Sequence, residues 1–226
     1  MSLVTFKAVC IDALDASVMG AFWSRALDCE LESLDDEDAV LRGSGPGEEV
    51  WINTVPEAKT VWHRVHLDLR AESLERFADC EQVSGDGEFP WTTFRDPEGG
   101  EFCVFLHDEP LEHRLKDVVV QALDHRTISD WWADVIGGTV KHDDASGYSH
   151  LDDVPGSTLE SFDFVPTDEP KTVKNRVHWD VTLNDGVTVD DLVAKGATVL
   201  RAADEQIRWT VMADPEGNEF CVLAGR

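Results

Sequence analysis

Asp96-Pro97-Glu98-Gly99-Gly100-Glu101-Phe102-Cys103-Val104-Phe105 returns almost unchanged as Asp214-Pro215-Glu216-Gly217-Asn218-Glu219-Phe220-Cys221-Val222-Leu223. Asp-Pro-Glu-Gly is β-turn chemistry: proline pre-sets the second position and glycine tolerates positive φ. The residues that follow alternate, which predicts a strand with two distinct faces. Phe102, Val104 and Leu106 fall on one face, and Glu101, Cys103 and Phe105 on the other. A carboxylate and a thiol share the less apolar face, twice over.

Working outward, the same landmarks recur in the same order. Arg64-Val-His-Leu-Asp-Leu69 is matched by Arg176-Val-His-Trp-Asp-Val181, and Lys59-Thr-Val61 by Lys171-Thr-Val173. Lys7 to Asp15 parallels Lys116 to Asp124. The chain is therefore a tandem duplication, with domains expected at 1–108 and 115–226 and a polar connector near His107 to Leu115.

Within each half, strands and helices alternate. Phe6 to Ala13 reads as a strand, and Asp15 and Ser17 as the start of an amphipathic helix through Phe22, Trp23 and Leu27. Short strands are expected at Ala39 to Arg42 and Val50 to Val55, parted by the Gly43–Gly47 break. A strand through His66, a helix from Ser73 to Asp79, a strand at Trp91 to Arg95 and the post-turn strand complete the half. Helices near Ile128 to Ile136 and Val189 to Lys195 repeat the plan. The fold class is α+β, with helices covering one sheet face.

Composition bounds the function. A chain of 226 residues with 42% apolar content can build two cores of ordinary size. A net charge of −27 argues against nucleic-acid backbones and anionic membranes as partners. No apolar run is long enough to span a bilayer, and the N-terminal residues do not read as a signal peptide. Five cysteines without a Cys-x-x-Cys fit free thiols in a reducing, cytoplasmic setting.

Phe22-Trp23, the Arg-Val-His motifs and the Asp-Pro-Glu-Gly strands resemble the vicinal-oxygen-chelate superfamily, which includes glyoxalase I, extradiol dioxygenases and bleomycin-resistance proteins. More narrowly, they resemble its glyoxalase-like domains, one in each half. The resemblance implies tandem domains, each of two βαβββ modules, forming cupped mixed sheets with helices on the outer face. It also implies a metal or ligand in the cup, with ligands from the first strand, sometimes the fourth, the fifth-strand histidine, and a glutamate late in the last strand.

Alternation places His66 and Asp68 on the cup side of their strand, and His178 and Asp180 likewise. Each pair reads either as a metal ligand with its orienting carboxylate or as a buried pair that stiffens the sheet. The family's late glutamate position is filled by Cys103 and Cys221, with Glu101 and Glu219 two residues earlier. A thiolate there favours softer ions, while an inert buried cysteine is the other reading. The first-strand position falls at Ala8 in one half and Asp117 in the other, and the fourth-strand candidates are Trp51 and Asn53, Ser161 and Asp163.

If each domain forms its own site, Asp117, His178 and either Cys221 or Glu219 are the expected metal ligands, with zinc, manganese, nickel or iron as the ion. Asp180 and Glu219 are then the acid/base candidates. If modules pair across domains, Asp117 and Asp163 meet His66 and Cys103 instead. Trp51, Trp91, Trp179 and Trp209, together with His66, Asp68 and Glu101, are the expected ligand-binding residues. The implied function is a small-molecule lyase, isomerase or dioxygenase, and the competing one is a metal-free protein that sequesters an antibiotic or metabolite. Either a monomer or a homodimer satisfies this organisation.

Overall fold

The structure is a computed structural model describing residues 2–35, 37–43, 45 and 47–225; Ser44 and Pro46 of the expected glycine-rich break lie outside the described residues. Four modules follow one another. The first contains β1 (Val4–Ala13), α1 (Ala16–Leu27), β2 (Glu30–Ser33), β3 (Ala39–Arg42) and β4 (Val50–Thr54). The second contains β5 (Val65–Ala71), a 3₁₀ turn (Leu74–Phe77), β6 (Glu81–Gln82), β7 (Thr92–Arg95) and β8 (Glu101–Leu106). The third contains β9 (Leu115–Ala122), α2 (His125–Ile136), β10 (Thr139–Asp143), β11 (Tyr148–Asp152) and β12 (Ser161–Pro166). The fourth contains β13 (Val177–Leu183), α3 (Val189–Ala194), β14 (Thr198–Arg201), β15 (Trp209–Ala213) and β16 (Glu219–Leu223).

The modules assemble crosswise. Sheet A runs β14-β15-β16-β13-β1-β4-β3-β2 and sheet B runs β10-β11-β12-β9-β5-β8-β7-β6. Each eight-stranded mixed sheet thus joins one module from each repeat, through the antiparallel pairs β1–β13 and β5–β9. The α+β architecture read from the sequence is present, and of the two pairings left open it is the one across the repeats.

Local chemistry explains the elements. The Asp15 side chain caps α1 by accepting from Val18 N–H at 3.0 Å, and Asp124 caps α2 by accepting from Thr127 N–H at 3.1 Å. Thr188 and Asp191 form a capping box on α3. The expected Ser73–Asp79 helix is instead the single 3₁₀ turn, which buries Phe77 and closes with Cys80 N–H donating to the Phe77 carbonyl. Its few apolar residues do not form a longer helical stripe. The edge strand β2 was not anticipated, because all four of its residues are exposed and no alternation marks it.

The helices tie the sheets together from behind. Trp23 and Phe22 of α1 pack on Phe102 of β8, with ring centroids 5.3 and 5.7 Å apart. Trp132 of α2 packs on Trp179 of β13 at 4.8 Å and Phe220 of β16 at 5.1 Å. One apolar core therefore spans both repeats, and each sheet turns its other, more polar face away from the helices.

Candidate functional site

The open faces carry the polar chemistry, and two bulges decide what points there. In β1 the register jumps between Phe6 and Ala8, and in β9 between Leu115 and Asp117. The extra residues are Lys7 and Lys116. Lys7 lies over the Trp51 ring at 5.3 Å, and Lys116 over Phe105 at 5.0 Å. Beyond the bulges, Ala8, Cys10 and Asp12 face the open side in sheet A, as Asp117 and Val119 do in sheet B.

On sheet B, Asp68 pairs in register with both Cys103 and Asp117, and His66 with Val119. One donor atom each from His66, Asp68 and Cys103 lies within 4.8 Å of the others. His66 Nε2 stands 3.5 Å from Asp68 Oδ1, and Cys103 Sγ is 3.5 Å from Thr93 Oγ1. Asp117, completely buried, accepts from Ser161 N–H and Oγ–H at 3.0 Å each and pairs with Lys116. Ser161 Oγ also reaches Asp163 Oδ1 at 2.6 Å. Burial, reinforced by the Asp117 charge, pushes the Asp163 carboxyl up to about 7. Burial opposes a charged His66, but bonding to Asp68 and Cys103 outweighs it and lifts the imidazole to about 10. Trp91 borders this face, stacked on Phe89 at 5.0 Å and tilted against Phe105 at 5.4 Å.

On sheet A, Cys10 pairs in register with His178 and with Trp51, and Asp180 with Cys221. Donor atoms of Cys10, His178 and Asp180 also lie within 4.8 Å of one another. Burial, and then the nearby Asp180 charge, push both the Cys10 and Cys221 thiols up. Asp12 on the same face is paired with Lys174 at 2.7 Å.

A family model described as the glyoxalase-like domain matches residues 8–105 and again 117–223. The chain belongs to the glyoxalase-like domain family. This places it in the vicinal-oxygen-chelate superfamily. Its fold is similar to that of glyoxalase I from Zea mays, with a TM-score of 0.67, 13% identity, and coverage of 98% of this chain and 92% of that one. It is also similar to a putative dioxygenase from Bacillus subtilis, with a TM-score of 0.66, 10% identity, and coverage of 99% and 86%. The cppA protein from Streptococcus pneumoniae follows, with a TM-score of 0.51, 11% identity, and coverage of 98% and 100%. No curated protein matches in sequence.

The glyoxalase-like architecture redistributes the residues singled out in the sequence. Asp117 does not join His178 and Cys221: it lies in sheet B and they lie in sheet A, because the sheets pair across the repeats. His66, Asp68, Cys103, Asp117 and Asp163 do come together. Trp179 is 1% exposed and wedged between Trp132 and Phe162, so it is core and lines no ligand face. Trp51 stands beside Cys10, while Trp209 is exposed on the outer part of sheet A.

Glu101 and Glu219 hold loops. Glu101 accepts from Lys59 Nζ at 2.8 Å and His63 N–H at 3.0 Å, and Glu219 from Lys171 Nζ at 2.6 Å and Asn175 N–H at 3.1 Å. Both oxygens of each carboxylate are thereby engaged by its loop. Between these loops lies a cleft of about 670 Å³ bordered by Trp62, Val61 and Val173. Sequence reasoning missed Cys10, Lys7 and Lys116. Strand alternation from Ala8 marks Cys10, but nothing in the sequence announces the bulges.

Proposed function

We propose that this glyoxalase-like protein acts on a small, oxygen-bearing molecule at the open face of sheet B, with a divalent ion on His66, Asp68 and Cys103. The observation that carries the reading is the convergence of those three donors within 4.8 Å of one another, on the face that also presents Asp117 and Asp163. The donors suit such an ion. His66 Nδ1 is buried without a hydrogen-bond partner, and an imidazole, a carboxylate and a thiol together accept borderline ions such as zinc, manganese, nickel or iron.

A bound ion would supply Lewis acidity toward adjacent substrate oxygens. The chain's own groups supply the rest. Asp163, held by Ser161 and titrating near neutrality, is placed to take up and return a proton. Lys116 offers positive charge to an anionic substrate group, and Trp91 with Phe105 forms an apolar wall. Isomerisation, lyase chemistry and dioxygenation all fall within this equipment.

A metal-free binding protein is the second reading, favoured by the Lys116–Asp117 pair, which neutralises one carboxylate without any ion. Both readings place the chain in a reducing cytoplasm, given five cysteines of which none is in a disulfide. Both also allow a monomer, because each sheet is completed within one chain.

Elemental analysis of stripped protein reloaded in turn with zinc, manganese, nickel and iron decides between them. The metal reading expects bound ion that falls with His66→Ala and Asp68→Asn. Ion content unchanged in both variants would defeat it. Metabolite-induced quenching that persists with chelator, and is lost in Trp91→Phe, would support the binder.

A further inference from the structure

Lys-Thr-Val is a repeated motif that neither open face uses. Its copies, Lys59 to Val61 and Lys171 to Val173, belong to different repeats, yet both line the same cleft of about 670 Å³. Crosswise assembly brings them there. Residues 55–64 carry the chain from β4 in sheet A to β5 in sheet B, and residues 167–176 carry it from β12 in sheet B back to β13 in sheet A. Both crossing loops line the gap, whose volume falls in the range of about 300–1,000 Å³ typical of small-molecule pockets.

The lining inverts the charge of the chain. The protein carries −27, but five Lys and Arg side chains line the cleft against two Glu. One of those two, Glu57, is already tied to Lys174 at 3.0 Å. A cation-rich hollow in an otherwise acidic molecule concentrates anions locally.

Two of the cations keep capacity for a ligand. Lys59 donates to Glu101 at 2.8 Å and Lys171 to Glu219 at 2.6 Å. An ammonium has three donor hydrogens, so each lysine is anchored by one bond with others to offer. Their side chains are only 15% and 13% exposed, which fixes the charges in place and favours short, charge-assisted bonds to an incoming anion.

The cleft also has an apolar side. Val61, Trp62 and Val173 border it and are 45%, 48% and 39% exposed. Large apolar side chains left open beside held cations suit a ligand with an apolar body and an anionic head.

We propose that the cleft between the two crossing loops binds a small organic anion, a carboxylate on a flat apolar body. The body lies against Trp62 and the two valines, and Lys59 and Lys171 hold the carboxylate. The site uses none of the donors on either open sheet face and needs no metal ion.

Calorimetric titration of the metal-stripped full chain with naphthoate, and with naphthamide as its uncharged counterpart, tests this. One naphthoate per chain is expected with a Kd below about 1 mM, and the amide should bind at least about tenfold more weakly. Lys59→Gln and Lys171→Gln together keep a donor for each glutamate while removing both charges, and should weaken naphthoate about tenfold. Trp62→Ala should weaken it several-fold. Lys7→Gln and Lys116→Gln, which remove positive charge from the open faces, should leave it unchanged. No binding at about 1 mM, equal affinity for acid and amide, or a loss in Lys7→Gln or Lys116→Gln but not in the Lys59/Lys171 pair would overturn the proposal. Should the glutamine pair fail to fold, bromonaphthoate soaked into wild-type crystals locates the site by anomalous scattering. Bromine beside Trp62 is expected; bromine on an open sheet face, or none bound, overturns the assignment. Neither failure touches the sheet B reading, because its ion is absent throughout.

Discussion

Arg176 of the second repeat donates to Glu98 of the first at 3.1 Å, and Arg64 of the first repeat donates to Glu216 of the second at 3.2 Å. These glutamates are the third residues of the two Asp-Pro-Glu-Gly turns. Glu98 also accepts from Leu14 and Asp15 N–H at 2.8 and 3.0 Å, and Glu216 from Leu123 and Asp124 N–H at 2.8 Å each. The repeated motif is therefore a clasp. It pins the corner before each module's helix and locks that corner to the other repeat.

Removing one side of this clasp strands a buried charge. Arg176 is 8% exposed and also donates to the Glu57 carbonyl. Arg176→Ala should cost about 3 kcal/mol in urea unfolding, and Glu98→Ala a similar amount. Their double variant should cost less than the sum, since both disable one contact. A loss under 1 kcal/mol for Arg176→Ala would show that the clasp is incidental.

Asp163 gives stability a pH dependence of known sign. Its folded carboxyl sits near 7 against an ordinary 3.8, burial being the larger cause and Asp117 the next. Folded protein thus keeps a proton that unfolded protein gives up. The contribution is full below about 4 and is lost as pH rises through 7, by up to about 1.4 kcal/mol per pH unit. Asp163→Asn should gain stability relative to wild type between pH 5 and 8 in parallel denaturation curves. A constant difference across that range would refute the assignment. The same variant should lose the neutral-pH limb of any proton-transfer activity.

His63 acts in the opposite sense. Burial is the main reason its imidazole falls to about 4 from 6.5; the Glu101 charge resists that shift, and Lys59 and His66 add to it. Its contribution is complete above 6.5 and disappears as pH falls through 4, because only the unfolded chain takes the proton readily. His63→Asn should flatten the acid limb of the stability profile in that window. An unchanged acid midpoint would mean His63 is protonated in the folded chain.

Repeat, turn and strand faces were legible in the sequence because they are local. Alternation alone put His66 with Asp68 and His178 with Asp180 on open faces, and the structure keeps them there. Crosswise sheet pairing was not legible: β1 bonds β13 through contacts between opposite ends of the chain, and both possible pairings bury the same apolar faces. The bulges at Lys7 and Lys116 were hidden for a related reason, since one inserted residue changes which face a side chain meets without changing composition. Trp179 misled because an aromatic residue serves a pocket wall and a core equally well, and only its neighbours Trp132 and Phe162 decide.

The two turns differ in one detail that yields a test. After the first comes Gly100 facing His63; after the second comes Asn218, whose side chain accepts from Asn175 Nδ2 at 3.1 Å and donates to Asp214 at 3.1 Å. A Cβ on Gly100 would stand 2.5 Å from His63 Cε1 and 2.5 Å from Asp96 Oδ2, so His63 fills the volume that an asparagine occupies in the other repeat. The tryptophans behind differ too: Trp132 Nε1 donates to Asp214 at 3.2 Å, whereas Trp23 Nε1 has no partner. Gly100→Asn alone should cost about 2 kcal/mol through overpacking. Adding His63→Asn should recover most of that loss, by opening the volume and letting Asp96 turn toward Trp23. Urea midpoints of the two singles and the double measure the coupling directly. Strictly additive costs would mean that the two turns do not exchange these residues as a matched pair.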